Sequence, residues 1–194
     1  MTVDAIVLAG GAATRFGGDK LAARIDGETV LARSLAAARG AAERIAVVLG
    51  PSDDDPGLPG VALARDPVAH RGPLAGLVTG LEALPAAEVV LVLAGDMPTV
   101  RPDVLALLVE AIEADPNVAA VHLEADPVST LPMAVRAQVV LPAARTLLAA
   151  DRRSLRGLFD NVTTVSVAAV RWRALDRSGA TLRDIDVPAD LEAG

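Results

Sequence analysis

The sequence predicts an α/β fold: a mostly parallel central sheet with helices on both faces. Two observations predict it. Short, continuous apolar runs alternate with longer segments of helical periodicity along the chain, and such runs read as strands buried on both faces. Glycine- and aspartate-bearing motifs follow those runs, at the carboxyl ends of strands, where sheets of this kind hold their ligands.

The elements follow in order. Ala5–Ala9 (AIVLA) is the first buried strand, ended by Gly10 and Gly11. Thr29–Gly40 has helical spacing, a threonine near its start and a glycine stop. Arg44–Gly50 is a second strand, followed by the acidic loop PSDDDPGLPG, and Val61–Arg65 is a weaker third. Pro73–Leu84 is a helix with proline in its first turn, where the missing N–H costs little. Val89–Gly95 is the most apolar strand, and Arg101–Ala114 is an amphipathic helix opened by Pro102. Residues 118–123 and 131–135 read as strands, 138–150 and 152–160 as helices, and 162–167 as a late strand. No repeat or linker divides the 194 residues, so one domain spanning 1–194 is expected.

Composition narrows the function. Apolar residues make up 52% and charged residues 22%, a globular balance, and at 2% aromatic the core must be aliphatic. A net charge of −7 with no basic run disfavours nucleic acid. The absence of cysteine excludes disulfides, thiolate metal sites and cysteine nucleophiles. Nothing resembles a signal peptide or a membrane span, so a soluble, cytoplasmic protein is expected.

Four motifs carry chemistry. LAGGAATRFGGDK (Leu8–Lys20) places four glycines, Arg15 and the chain's one lysine after the first strand. Glycines there let backbone N–H groups cradle a phosphate, and Arg15 and Lys20 supply positive charge. The spacing fits neither common phosphate-loop pattern. In AGDMP (Ala94–Pro98), Asp96 ends a buried strand, either as a Mg²⁺ ligand or as the cap of the next turn. In RDPVAHRGPLAG (Arg65–Gly76), Gly72, Pro73 and Gly76 shape a turn into a helix whose N-terminus could face an anion or a base edge, with His70 close by, but taken alone the motif is only a helix start. In LRDIDVPADL (Leu182–Leu191), Asp184 and Asp186 share one side of an extended segment. They either complete a Mg²⁺ shell with Asp96 or cap a helix opened by Pro188. Arg152, Arg153 and Arg156 form either a solvated helix face or a clamp for a phosphorylated acceptor.

In this order the motifs resemble those of the MobA-like molybdenum cofactor guanylyltransferases, a Rossmann-like nucleotidyltransferase family, over almost the whole chain. The family's LAGG-x₃-R-[MF]-G-x-D-K is Leu8 to Lys20, GPLAG is Gly72 to Gly76, and GD-x-P is Gly95 to Pro98. LPMAV stands for a QPL-x-A-like segment, and RSLRGLF is close to a helix on the acceptor side. The resemblance implies transfer of GMP from GTP to the terminal phosphate of molybdopterin, with Mg²⁺ and release of pyrophosphate. Leu8, Ala9, Gly10 and Gly11 would contact the nucleotide, with Pro73, Leu74 and Gly76 beside it. Lys20 and Arg15 would meet the phosphates, Asp66 the guanosine region and Asp96 the metal, while Arg153 and Arg156 would bind the acceptor. Other proteins of cofactor biosynthesis are implied as partners of a monomer or weak dimer. Two departures stand out. Leu49 takes the place of an asparagine that helps hold the nucleoside. Asp184-Ile185-Asp186-Val187-Pro188 replaces N-x-N-T-P and looks more like related cytidylyltransferases. A same-fold enzyme using CTP or another phosphorylated acceptor is the alternative, and a non-catalytic nucleotide-binding module a further one.

Overall fold

The computed structural model describes residues 2–10, 16–68 and 71–193. A seven-stranded sheet runs in the order β5-β4-β1-β6-β8-β7-β9. Its strands are β1 (Val3–Leu8), β4 (Ile45–Leu49), β5 (Ala62–Arg65), β6 (Val89–Ala94), β7 (Ala120–Leu123), β8 (Met133–Arg136) and β9 (Thr164–Val167). A small hairpin, β2 (Arg24–Ile25) and β3 (Glu28–Thr29), stands apart from it. The helices are α1 (Val30–Arg39), α2 (Pro73–Ala83), α3 (Pro102–Ala114), α4 (Ala137–Ala149), α5 (Arg156–Phe159) and α6 (Ala169–Leu175).

β1 pairs in parallel with both β4 and β6, and β4 in parallel with β5. β8 is antiparallel to β6 and to β7, so the sheet is mostly parallel with one reversed strand. The chain leaves β1 toward β4 on one side and returns to β6 on the other. The sheet's switch point therefore lies between the carboxyl ends of β1 and β6, where Gly95 N donates to Leu8 O at 2.8 Å.

Two apolar layers sandwich the sheet. On one face Leu31 and Leu35 of α1, Val104, Leu105, Leu108 and Ile112 of α3 and Trp172 of α6 cover alternate residues of β1 and β6. On the other, Leu74, Leu77 and Leu81 of α2 join Val140 and Ala144 of α4 and Leu158 of α5. Strands covered on both sides need no polar face, which is why β4 and β6 read as unbroken aliphatic runs.

Local signals set the boundaries. Thr29 caps α1, its Oγ1 accepting from Ala32 N at 3.1 Å, and Gly40 closes it. The hairpin turns on Asp26 and Gly27, both at positive φ (50° and 86°), the conformation its two-residue turn requires. The sequence expectation of one helix over 152–160 shrinks to Arg156–Phe159, and α6 arises where none was predicted. α6 buries one residue, Trp172, whose Nε1 donates to Glu124 O at 2.9 Å. No helix among the described residues is long and apolar enough to cross a membrane.

Candidate active site

Two adjoining hollows open at the carboxyl edge of the sheet. The first, about 680 Å³, is bounded by the end of β1, by Lys20, by Asp96 after β6 and by the acidic loop from Ser52 to Pro56. The second, about 660 Å³, lies between Asp66, Arg71 and the Gly72-Pro73-Gly76 start of α2. Three segments far apart in sequence meet here because their strands are neighbours in the sheet.

The end of β1 is shaped by close packing. A Cβ on Gly10 would lie 2.8 Å from Gly50 N, so glycine alone lets β1 pass this near the end of β4. Leu8, Ala9 and Gly10 all line the first hollow. Gly11, Arg15 and His70 lie outside the described residues. Asp19 Oδ1 accepts from Leu21 N and Ala22 N at 3.0 and 3.2 Å, a turn that aims Lys20 across the hollow. Lys20 Nζ meets Asp96 Oδ2 at 2.5 Å and stands 3.8 Å from Asp186 Oδ1. Lys20 and Asp96 are mostly shielded, at 21% and 18% exposure, whereas Asp186 is half exposed at 50%.

The C-terminal segment is strapped across this pair. Ile185 buries its side chain against Ile25 and Val30, and its N–H donates to Asp96 O at 2.9 Å. Asp190 Oδ2 accepts from Asp186 N and Val187 N at 2.8 Å each. Asp190 thus holds the backbone that enters the C-terminal turn, and the Asp186 carboxylate lies beside the lysine. Burial pushes the Asp184 carboxyl up, and negative Asp186 and Asp96 push the same way against its backbone and Lys20. Three carboxylates thus share one described ammonium.

That charge excess bears on Mg²⁺. Among the described residues no three acidic or histidine side chains stand close enough to hold a metal by themselves. The donor set fits the other mode of Mg²⁺ binding, one or two carboxylates completed by substrate phosphates and water. Asp96 is the residue best placed for it, with Asp184 and Asp186 behind.

Around the second hollow, Thr79 Oγ1 donates to Asp66 Oδ1 at 2.8 Å and Asp66 N donates to Leu49 O at 2.9 Å. Burial pushes the Asp66 carboxyl up, against the pull of Thr79 and Arg71. Gly72 takes a left-handed φ of 81°, and Leu74 N donates to Arg153 O at 3.2 Å. Leu74 itself is buried in the core and lines neither hollow.

Neither Arg153 nor Arg156 lines a hollow. Arg153 braces the start of α2 through its carbonyl while its guanidinium pairs with Asp151 at 3.0 Å. Sequence reasoning missed the Lys20–Asp96 contact, the turn built by Asp19 and the acidic loop's place on the rim. Only the second had a local signal, an aspartate two residues before a needed N–H.

A lysine and a strand-end aspartate that meet at the switch point of an α/β sheet are what a nucleotide-handling enzyme needs. Comparison with known proteins makes this specific: residues 5–168 match the MobA-like NTP transferase domain. The chain belongs to this family of nucleotidyltransferases. It is 29% identical to a probable molybdenum cofactor guanylyltransferase of Chloroflexus aggregans, over 99% of this chain and 93% of that one. It is 39% identical to a 2-C-methyl-D-erythritol 4-phosphate cytidylyltransferase of Cereibacter sphaeroides, over 61% of this chain and 57% of that one. In fold it matches molybdopterin-guanine dinucleotide biosynthesis protein A of Archaeoglobus fulgidus, with TM-score 0.79 and 20% identity, covering 98% and 95% of the two chains. The Thermus thermophilus 2-C-methyl-D-erythritol 4-phosphate cytidylyltransferase matches at TM-score 0.70 and 19% identity, covering 97% and 95%.

Proposed function

We propose that the chain is a molybdenum cofactor guanylyltransferase, moving GMP from GTP to the terminal phosphate of molybdopterin with release of pyrophosphate. The observation that carries this reading is the Lys20–Asp96 pair at the joined ends of β1 and β6, with Asp66 across the second hollow. The triphosphate would lie by Lys20 and the base by Asp66. Guanine presents two adjacent donors, N1–H and N2–H, on one edge, and a carboxylate offers only acceptors. Cytosine offers a single exocyclic amine there.

The acceptor phosphate is already an anion, so its oxygen attacks the α-phosphorus without a strong general base. The bond from the α-phosphorus to the bridging oxygen breaks, and pyrophosphate leaves. Lys20 neutralises the charge that builds on the leaving pyrophosphate as the acceptor oxygen bonds to the α-phosphorus. The walls of the two hollows hold the reactants in line, which is most of what phosphoryl chemistry needs from a protein. Bound Mg²⁺ would neutralise the triphosphate, with Asp96 holding it.

A second reading, transfer of CMP from CTP, is favoured by Asp184 and Asp186 and by the partial match to cytidylyltransferases. Titration of the protein with GTP and with CTP in Mg²⁺, followed by thermal melting, separates the two. Stabilisation by GTP and not CTP is expected, and the reverse order moves the assignment to the second reading. Tight GTP binding with no transfer to molybdopterin would indicate a binding module.

A further inference from the structure

Among the described residues, the two hollows share Leu8, Gly10, Ser52 and Asp53 in their walls. On the proposed reading, with base in one hollow and triphosphate in the other, the nucleotide's sugar crosses this divide. Leu8 offers it no polar side-chain group, Gly10 no side chain at all, and Ser52 an exposed hydroxyl that no hydrogen bond among the described residues holds in place. Asp53 offers a carboxylate held in place by its surroundings.

Gly50 N donates to Asp53 Oδ2 at 2.7 Å. A Cβ on Gly50 would lie 2.8 Å from Oδ2 and 3.2 Å from Oδ1, so the carboxylate lies flat over the Gly50 Cα. Arg65, at the end of β5, braces the same turn, its guanidinium donating to Asp53 O at 2.6 Å and Gly50 O at 3.2 Å. Asp53 Oδ1 has no hydrogen-bond partner among the described residues. The loop's next aspartate with a contact, Asp55, is used locally, accepting from Gly57 N at 2.8 Å.

We infer that Asp53 reads the sugar: its Oδ1 accepts a hydrogen bond from one ribose hydroxyl and makes the site selective for nucleotides that carry it. A carboxylate is a poor neighbour for phosphate, and the sugar is the one uncharged, donor-bearing part of the nucleotide between base and triphosphate. A carboxylate only accepts and a hydroxyl can donate, so the pairing is complementary, and charge-assisted bonds are the stronger kind. A sugar lacking that one hydroxyl supplies no donor at that point, and the charge-assisted bond to the exposed Asp53 carboxylate is lost.

Calorimetric titration of the protein in Mg²⁺ with GTP, 2′-deoxy-GTP and 3′-deoxy-GTP tests this. One of the two deoxynucleotides should bind about 10–100-fold more weakly than GTP. Asp53→Asn keeps an oxygen for Gly50 N but places an amide NH₂ where the free oxygen was. In that variant GTP should weaken by a similar factor, and the ribo-to-deoxy ratio should collapse toward one. Equal binding of all three nucleotides by the wild type overturns the inference while leaving the proposed function standing. So does discrimination that survives Asp53→Asn. If the wild type binds neither GTP nor CTP, the proposed function fails and this inference with it.

Discussion

At the scale of single residues, charge density decides the site. Lys20 is the one lysine in a chain whose other basic residues are arginines. Its ammonium is a compact point charge on a flexible stem, small enough to sit against Asp96 with Asp186 close by. A planar guanidinium spreads its charge and demands in-plane partners, which this crowded corner does not offer. Lys20→Arg should therefore fold normally yet lose turnover by roughly 100-fold, the size of loss seen when one transition-state donor is removed. Steady-state pyrophosphate release checks it, and near wild-type rates would refute the point-charge account. The motif made Lys20 conspicuous in the sequence, but not its partner. Asp96 is 76 positions away, and only the pairing of β1 with β6 brings the two together.

At the scale of elements, two supports hold the site's walls. The first is the start of α2. A Cβ on Gly72 would lie 2.8 Å from Arg153 O, and the left-handed φ adds strain for any other residue. Gly72→Ala should cost about 1–3 kcal/mol and weaken GTP binding, measured by denaturant unfolding and calorimetry. The second is the strap behind Asp184 and Asp186. Asp176 is buried, which works against its charge. Hydrogen bonds from the Thr181 N–H, the Ser178 hydroxyl and the Ala180 N–H outweigh that cost and hold its carboxyl at about 2. Thr99 then ties the same turn to the Asp96 loop, its hydroxyl donating to Ala180 O at 2.7 Å.

A carboxyl lowered on folding stabilises the folded state above its unfolded pKa, near 3.8, and that stability is lost as pH falls toward about 2. The drop from 3.8 to about 2 corresponds to about 2 kcal/mol. Asp176→Ala should lower stability near neutral pH and flatten the acid side of the stability profile in urea unfolding. An unchanged acid limb would show that the strap is anchored elsewhere. The Gly72 turn into α2 was legible in the sequence, but its brace by Arg153 and the strap held by Asp176 were not. Arg153 looked like an acceptor clamp because three arginines crowd one segment, yet the bond it gives α2 comes from its carbonyl, which composition cannot reveal. The Asp26-Gly27 turn was legible and went unread.

At the scale of the whole molecule, the site and the core separate along the strand axis. The residues of the proposed site gather at the carboxyl ends of β1 and β6, while α3 runs back to place Ile112, fully buried, toward the opposite edge. Ile112→Ala should cost about 2–5 kcal/mol in stability yet leave GTP affinity unchanged while the protein is folded. The fold class was readable because aliphatic strands covered on both faces cannot hide in a sequence; β4 and β6 came out within one residue of their ends and β1 within two. The reversed β8 was not readable, because direction depends on where the chain returns. α6 was missed because it buries only Trp172 and lacks an apolar stripe.

The central claim is that Lys20 and Asp96 jointly hold a ribonucleoside triphosphate for transfer to a phosphate acceptor. The most direct measurement mixes the protein with GTP, Mg²⁺ and molybdopterin and follows pyrophosphate against guanylylated product. It is repeated with folded Lys20→Ala and Asp96→Ala. Equal yields of the two products from the wild type, with both falling about 100-fold or more in each variant, are predicted. Undiminished pyrophosphate release from either variant would contradict the account.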